Sequence, residues 1–177
     1  MDTLSQPTKC KSPLTMNHLQ SVTTALAASC DHDDMLFLSL LNTGFAGLLQ
    51  LCNLAVSDNP WIREFGKVIL RNSLRWLSNS YEFFLPTHKS DTRNHVHITQ
   101  IMDAPDPKPI MERYIQSHNM LFPLHLQLWL CANGHSSLHS LFLHCLKQYC
   151  PPDIAGQSMC AGGATALAEA GVPGKLI

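Results

Sequence analysis

Two pairs of histidines are spaced in a way that could hold a metal ion. His135 and His139 are four residues apart in a segment with helical spacing, and His95 and His97 share one face of a predicted strand. A structural zinc site needs four ligands, and no third or fourth ligand follows either pair at a suitable spacing. The sequence therefore predicts ordinary histidine side chains and no metal or other cofactor.

Cys160, Lys89 and the pair Gly162-Gly163 are the other candidates for chemistry. Cys160 begins a predicted helix, where a thiolate can be stabilised, but the sequence places no histidine partner beside it, so we expect a half-buried thiol. Lys89 lies near the tip of a predicted hairpin, where a lysine either contacts a phosphate or is simply solvated. The glycines do not form a phosphate loop, because no strand precedes them and no Gly-Lys-Ser/Thr follows. They are expected to allow close packing of a helix.

The composition indicates one packed domain without the net positive charge that is typical of nucleic-acid-binding proteins. Of 177 residues, 45% are hydrophobic and 14% are charged, against about 25% charged residues in typical soluble domains. The sequence has 12 Lys and Arg residues and 13 Asp and Glu residues, so any contact with DNA must depend on a local group of basic residues. The seven cysteines form no CxxC pair and are expected to be reduced thiols.

No part of the sequence has the pattern of a targeting or membrane segment. Residues 1–16 contain no apolar core of a signal peptide, and the apolar stretch 36–56 is interrupted by Asn42, Gly44 and Gln50. These patterns predict an intracellular protein with no membrane partner.

Helical spacing dominates the beginning of the chain. Residues 1–14 are expected to be a flexible lead-in and residues 15–177 a single domain. Thr15 and Asp31 are predicted N-caps, and the turn formers Asn42-Thr43-Gly44 are predicted to separate the second helix from the third. The three helices are predicted over residues 18–29, 31–41 and 45–56.

The middle of the chain is predicted to form strands, and the segment after it is predicted to form helices again. Three β-prone runs are predicted to form an antiparallel meander whose second turn, 86–91, holds Lys89. The fold class expected from this order is mainly α with a small three-stranded antiparallel sheet (α+β). The strands are predicted over residues 73–77, 81–85 and 95–101, and the later helices over 110–119, 136–149 and 161–170.

Three segments together resemble the catalytic domain of tyrosine recombinases, of the phage-integrase-like type found in fungal retroelements. Residues 43–54, TGFAGLLQLCNL, resemble the first catalytic box, which usually reads G-F-x-G-L-L-R-x-x-E-L. Residues 85–91, LPTHKSD, resemble the hairpin that carries the catalytic lysine. Residues 156–177, beginning GQSMCAGGAT, resemble the second box, which normally reads G-H-S-x-R-A-G-G-A-T. The order of the three segments also agrees with the elements predicted above.

The resemblance implies a definite chemistry. In that family a tyrosine attacks a DNA phosphodiester, two arginines stabilise the charge that develops on the phosphate, and a lysine and a histidine move protons. Arginine suits the clamp because its planar guanidinium stays charged and can form two parallel hydrogen bonds.

This chain departs from the family at most of those positions. Gln50 stands where the first arginine belongs, Gln157 where the histidine belongs and Cys160 where the second arginine belongs, so Lys89 is the retained position. His118, Cys131 and His139 also stand where the resemblance would place arginine. The G-R-W segment and the nucleophilic tyrosine that follow the second box in the family do not occur after Gly156.

The resemblance therefore implies a degenerate, C-terminally truncated catalytic core that does not cleave DNA. It implies nuclear residence and, at most, weak DNA binding through Lys89 and scattered bases such as Arg71, Arg75 and Arg93. Two alternatives stay open. The domain could act as an interaction module that pairs with an intact recombinase or with itself, through an uncovered face near residues 161–167, or it could be a decayed transposable-element product without function.

Overall fold

The computed structural model describes residues 11–86 and 95–175, apart from the side chain of Phe65. Six α-helices and three β-strands lie in the described residues, joined in the middle of the chain by short 3₁₀ turns. The elements are α1 (Met16–Ala25), α2 (His32–Ala46), α3 (Leu51–Leu54), β1 (Arg75–Trp76), β2 (Ser80–Phe84), β3 (His95–Thr99), α4 (Pro107–Leu121), α5 (His139–Tyr149) and α6 (Ser158–Glu169).

Both predicted N-caps are confirmed. Thr15 Oγ1 accepts a hydrogen bond from the backbone N of His18 at 3.2 Å, which begins α1. The Asp31 carboxylate accepts from the backbone N atoms of Asp33 and Asp34 and begins α2. These caps could be predicted because the bonding partners lie two or three residues away.

The turn predicted at Asn42-Thr43-Gly44 is wrong, because α2 continues through it to Ala46. Asn42 and Thr43 both find hydrogen-bond partners in this longer helix, one within the helix and one in a distant strand. Asn42 Nδ2 donates to the Leu38 carbonyl within the helix at 2.9 Å, and Thr43 Oγ1 lies 2.7 Å from the hydroxyl of Tyr81 in β2. The third predicted helix is correspondingly reduced to the single turn α3.

The predicted meander is confirmed as an antiparallel sheet in the order β1-β2-β3. Tyr81 pairs with Ile98 across β2 and β3, and both side chains are fully buried. Phe83 extends the same inner face. β2 has the predicted length but begins one residue earlier, at Ser80, and β3 ends two residues earlier than predicted, at Thr99. β1 is reduced to Arg75 and Trp76, both exposed.

The later helices also differ from prediction at their ends. α4 begins at Pro107, where Asp106 Oδ1 accepts from the backbone N of Lys108 at 2.9 Å. α5 begins only at His139, because Ser137 lies in an extended segment whose carbonyl accepts from the backbone N of Val56. α6 begins at Ser158, earlier than predicted.

The core lies around α2, which contacts α1, α4, α6 and the sheet. Its buried residues include Leu36, Leu38, Leu40 and Leu41. Residues 11–14 are anchored on α6, since the backbone N of Leu14 donates to the Ser158 carbonyl at 2.9 Å and the Leu14 side chain is fully buried. None of the helices in the described residues is both long and apolar enough to cross a bilayer. The arrangement is the predicted α+β class.

Candidate functional site

The two segments that resemble the recombinase boxes are packed against each other. A methyl group placed on Gly156 would lie 2.7 Å from Leu51 Cβ, so the backbone of the second segment touches the side chain of the first. One placed on Gly44 would lie 2.7 Å from the Sδ atom of Met159. Residues far apart in the sequence are thereby brought together, as the resemblance implies.

Glycines in α6 make this approach possible. A Cβ atom on Gly162 would collide with the carbonyl of Leu14, and one on Gly163 with the carbonyl of Phe45. Both glycines are buried within the helix. The prediction that they allow close packing is confirmed.

Gln50 and Gln157 flank the contact between Leu51 and Gly156. Gln50 precedes α3, where its backbone N donates to Asn53 Oδ1 at 3.0 Å, and its side chain is exposed. Gln157 is the N-cap residue of α6, and its exposed side chain makes no capping hydrogen bond. Two neutral amides therefore stand at the positions where the resemblance would place an arginine and a histidine.

Cys160 lies in the first turn of α6 and is half-buried, as predicted. Burial raises the pKa of its thiol, so the neutral thiol is the favoured form at neutral pH. Burial also raises the pKa of Cys131, to about 11. Neither cysteine has the depressed pKa of an activated nucleophile.

Lys89 lies outside the described residues, as does Arg93. Leu85, just after β2, is described: it is buried and lines a cavity of about 130 Å³. Cys52, Asn53 and Lys67 form the rest of that wall. The end of β2 therefore lies beside the segment that resembles the first box.

A larger cavity of about 330 Å³ also adjoins α3 and shares Cys52, Asn53 and Lys67 with the smaller one. Ile62, Val68 and Ile69 contribute apolar wall, and Arg63 and Lys67 contribute cations. The Arg63 guanidinium is already engaged, because it donates to the carbonyls of Ser57 at 2.7 Å and Asp58 at 3.2 Å. His139 also lines this cavity, and its Nε2 lies 3.0 Å from the Ala55 carbonyl.

The histidine pairs do not form metal sites within the described part of the chain, where no group of three His, Cys, Asp or Glu side chains could hold an ion. His135 lies in the turn before α5, so the helical pairing with His139 is wrong. His95 and His97 do share the exposed face of β3. His97 Nε2 is 2.7 Å from Ser80 Oγ, which gives it an ordinary cross-strand partner.

Arg71 has a structural role that the sequence did not reveal. Its guanidinium donates to the carbonyls of Phe122 at 3.1 Å and Pro123 at 2.8 Å, and to Asn119 Oδ1 at 3.1 Å. These groups end α4, so Arg71 satisfies carbonyls that the helix leaves without partners. Arg71, which we expect to be one of the scattered DNA-binding bases, is thus also engaged within the fold, and Arg75 Nη1 lies 3.7 Å from Glu82 Oε1.

Tyr81 and Tyr114 are buried, and burial raises the pKa of both phenols far above its ordinary value. Tyr114 donates to the Leu128 carbonyl at 2.8 Å. A phenol buried in this way is kept away from any phosphodiester at the surface.

Solved structures of DNA recombinases share this fold. A pre-cleavage complex of the XerH site-specific recombinase bound to difH substrate has a TM-score of 0.60 and 8% identity over 95% of this chain and 46% of that one. A post-cleavage complex of XerH with palindromic difH has a TM-score of 0.61 and 9% identity over 92% and 43%. The Tn1549 transposon integrase in complex with transposon right end DNA has a TM-score of 0.52 and 21% identity over 99% and 58%.

The chain spans about half the length of these structures. No protein-family model and no curated protein matches the sequence. At such low identity the likeness establishes the fold alone, which this chain shares with part of these recombinase and integrase structures.

Proposed function

We propose that this chain is a degenerate tyrosine-recombinase domain that binds DNA weakly and does not cleave it. The observation that carries the proposal is the packing of Leu51 on Gly156, which sets the neutral residues Gln50 and Gln157 on either side of one contact. Without guanidinium groups there, charge developing on a phosphate would lack its stabilising donors. Loss of one such donor commonly lowers a rate by about 10²–10³.

The rest of the proposal follows from the resemblance. Lys89 would contact a phosphate from the hairpin loop, and the domain would derive from a fungal retroelement or a related transposable element, acting in the nucleus. The recombinase and integrase neighbours, whose structures contain DNA or a DNA substrate, support DNA as the partner. The near balance of charges limits its affinity.

One experiment tests both halves of the proposal. The protein is incubated with a nicked suicide substrate, and we expect no covalent protein–DNA band on a denaturing gel. Its affinity for intact duplex is then measured against salt, beside the double variant Gln50→Arg/Cys160→Arg. Each new phosphate contact should steepen the slope of log affinity against log salt by about 0.9, so the double variant should gain up to about 1.8.

A stable covalent protein–DNA band would contradict the proposal that the domain does not cleave DNA. An unchanged slope in the double variant would mean that these two positions do not face DNA, and the alignment with the recombinase boxes would then be withdrawn.

A second candidate function is that of a protein-interaction module. Trp61 is 94% exposed and Leu124 is 90% exposed, which is unusual for such large apolar side chains. These residues lie outside α6, where Gly162, Gly163 and Ala166 are buried but Ala161 and Thr165 are exposed. The uncovered face near residues 161–167 therefore stays a prediction, and an interaction surface would also involve the segments around Trp61 and Leu124.

A further inference from the structure

Lys67 occupies a place near the first box that the recombinase resemblance does not assign to any function. It ends the 3₁₀ turn Phe65–Lys67 and lines both cavities that adjoin α3. In the smaller cavity its neighbours are Cys52, Asn53 and Leu85. Lys67 therefore lies beside both the segment that carries Gln50 and the end of β2.

The other described cations around this region are already committed to carbonyls. Arg63 is bound by the carbonyls of Ser57 and Asp58, and Arg71 by the carbonyls that end α4. The Lys67 side chain is 47% exposed, and its Nζ lies 2.7 Å from one group, the carboxylate of Glu64. Glu64 is itself 62% exposed.

An ion pair of this kind is exchangeable. Both side chains are long, both ends are in water, and no other acceptor holds the Lys67 ammonium in the described residues. A DNA phosphate that approached α3 would compete with the Glu64 carboxylate for the same ammonium group. The two anions cannot both be close to Lys67 without repelling each other.

We propose that Lys67 contacts a DNA phosphate beside the first box, and that the Glu64 carboxylate competes with this phosphate for the Lys67 ammonium group. This inference rests on the proposed DNA-binding function. Lys67 then supplies part of the positive charge that Gln50 lacks. Glu64 lowers the affinity by holding the ammonium in the free protein.

The test uses two neutralising substitutions of opposite expected effect. Affinity for a fluorescent DNA duplex of arbitrary sequence is measured by anisotropy over a range of salt concentrations. Lys67→Gln should weaken binding roughly five- to tenfold near 0.1 M salt and reduce the salt slope by about 0.9, as expected for the loss of one phosphate contact. Glu64→Gln should tighten binding severalfold.

A matched pair of controls is available in α4. Lys108 Nζ lies 3.4 Å from the Glu112 carboxylate, and it also donates to the Ser78 carbonyl, at the end of the sheet away from Leu85. Lys108→Gln and Glu112→Gln change the net charge in the same way, so they measure the effect of overall charge alone. Both should leave the salt slope nearly unchanged.

Three results are distinguishable. A loss with Lys67→Gln and a gain with Glu64→Gln, each larger than its control, supports the inference. Salt-dependent binding by the unaltered protein with equal effects at Lys67 and Lys108 overturns the inference while the proposed function stands. No binding by the unaltered protein at low salt overturns both.

Discussion

His118 is held between an arginine and a main-chain carbonyl, which fixes its protonation state. Arg71 can only donate, so the His118 Nδ1 atom, 3.3 Å from Arg71 Nη1, must be the acceptor. His118 Nε2 then carries the proton and donates to the Gln127 carbonyl at 3.0 Å. The side chain is fully buried. His118, which stands where the resemblance would place an arginine, is thus a buried and fully hydrogen-bonded part of the fold.

This arrangement predicts a loss of stability in mild acid. Burial is the main reason why the pKa of His118 is lowered, and the positive charges of Arg71, His32 and His125 lower it further. The unfolded chain therefore takes up a proton at a pH where the folded chain does not. The contribution of His118 to stability is complete above about pH 6.5 and is lost as the pH falls from there through the lowered pKa.

Urea unfolding at a series of pH values measures this effect. In His118→Gln, unfolding should take up as much as one proton less than in the unaltered protein as the pH falls below about 6.5. His144→Gln, at an exposed position of α5, is the matched control for the loss of one histidine. Equal pH dependence in the His118 variant and the unaltered protein would show that another group is responsible.

At the scale of elements, the sequence predicts what depends on near neighbours and misses what depends on distant ones. Thr15 and Asp31 were correctly predicted as caps because their partners are local. Asn42 to Gly44 were wrongly predicted as a turn because Tyr81 and Met159, which accommodate them, lie far along the chain. The role of Arg71 was missed for the same reason, since its partners begin at His118.

The junction between α2 and α6 should tolerate no side chain at its closest point. Gly163→Ala would drive a methyl group against the Phe45 carbonyl and place it 2.7 Å from Leu48 Cδ2. We therefore expect the free energy of unfolding to fall by about 1–3 kcal/mol. Gly66→Ala, whose methyl group would meet nothing within 4 Å, should change stability by less than about 1 kcal/mol. Denaturant midpoints measure both, and similar midpoints for the two variants would contradict the tight junction.

At the scale of the whole molecule, architecture and site chemistry are separable. The chain shares its fold with solved recombinase and integrase structures at 8–21% identity. The residues that pack the two boxes together, such as Leu51, Gly156 and Gly163, match the resemblance, whereas Gln50 and Gln157 do not. The sequence could predict the fold because packing positions carry the pattern. It could not predict the surroundings of Lys67, which arise from loops.

The exposed apolar side chains predict concentration-dependent self-association. Trp61 and Ile62 protrude from one 3₁₀ turn, 94% and 64% exposed, so removal from water would favour contact between copies. Light scattering should show an average mass above 19.7 kDa that rises with concentration, and Trp61→Ser should abolish the rise. Met102→Ser, at another exposed apolar position, is the control. A strictly monomeric protein would count against the interaction module.

The anchoring of residues 11–14 on α6 has a consequence for how the chain reaches this state. Lys11 and Pro152, joined by a hydrogen bond, are 141 residues apart, and α2 acquires its partner α6 across a similar separation. Contacts of such range form slowly, because the loop-closure entropy must be overcome before they stabilise anything. During synthesis, the side of α2 that packs on α6 therefore stays exposed to solvent until almost all of the described residues have left the ribosome. We infer that this interval, rather than the finished fold, is when the chain is most exposed to aggregation.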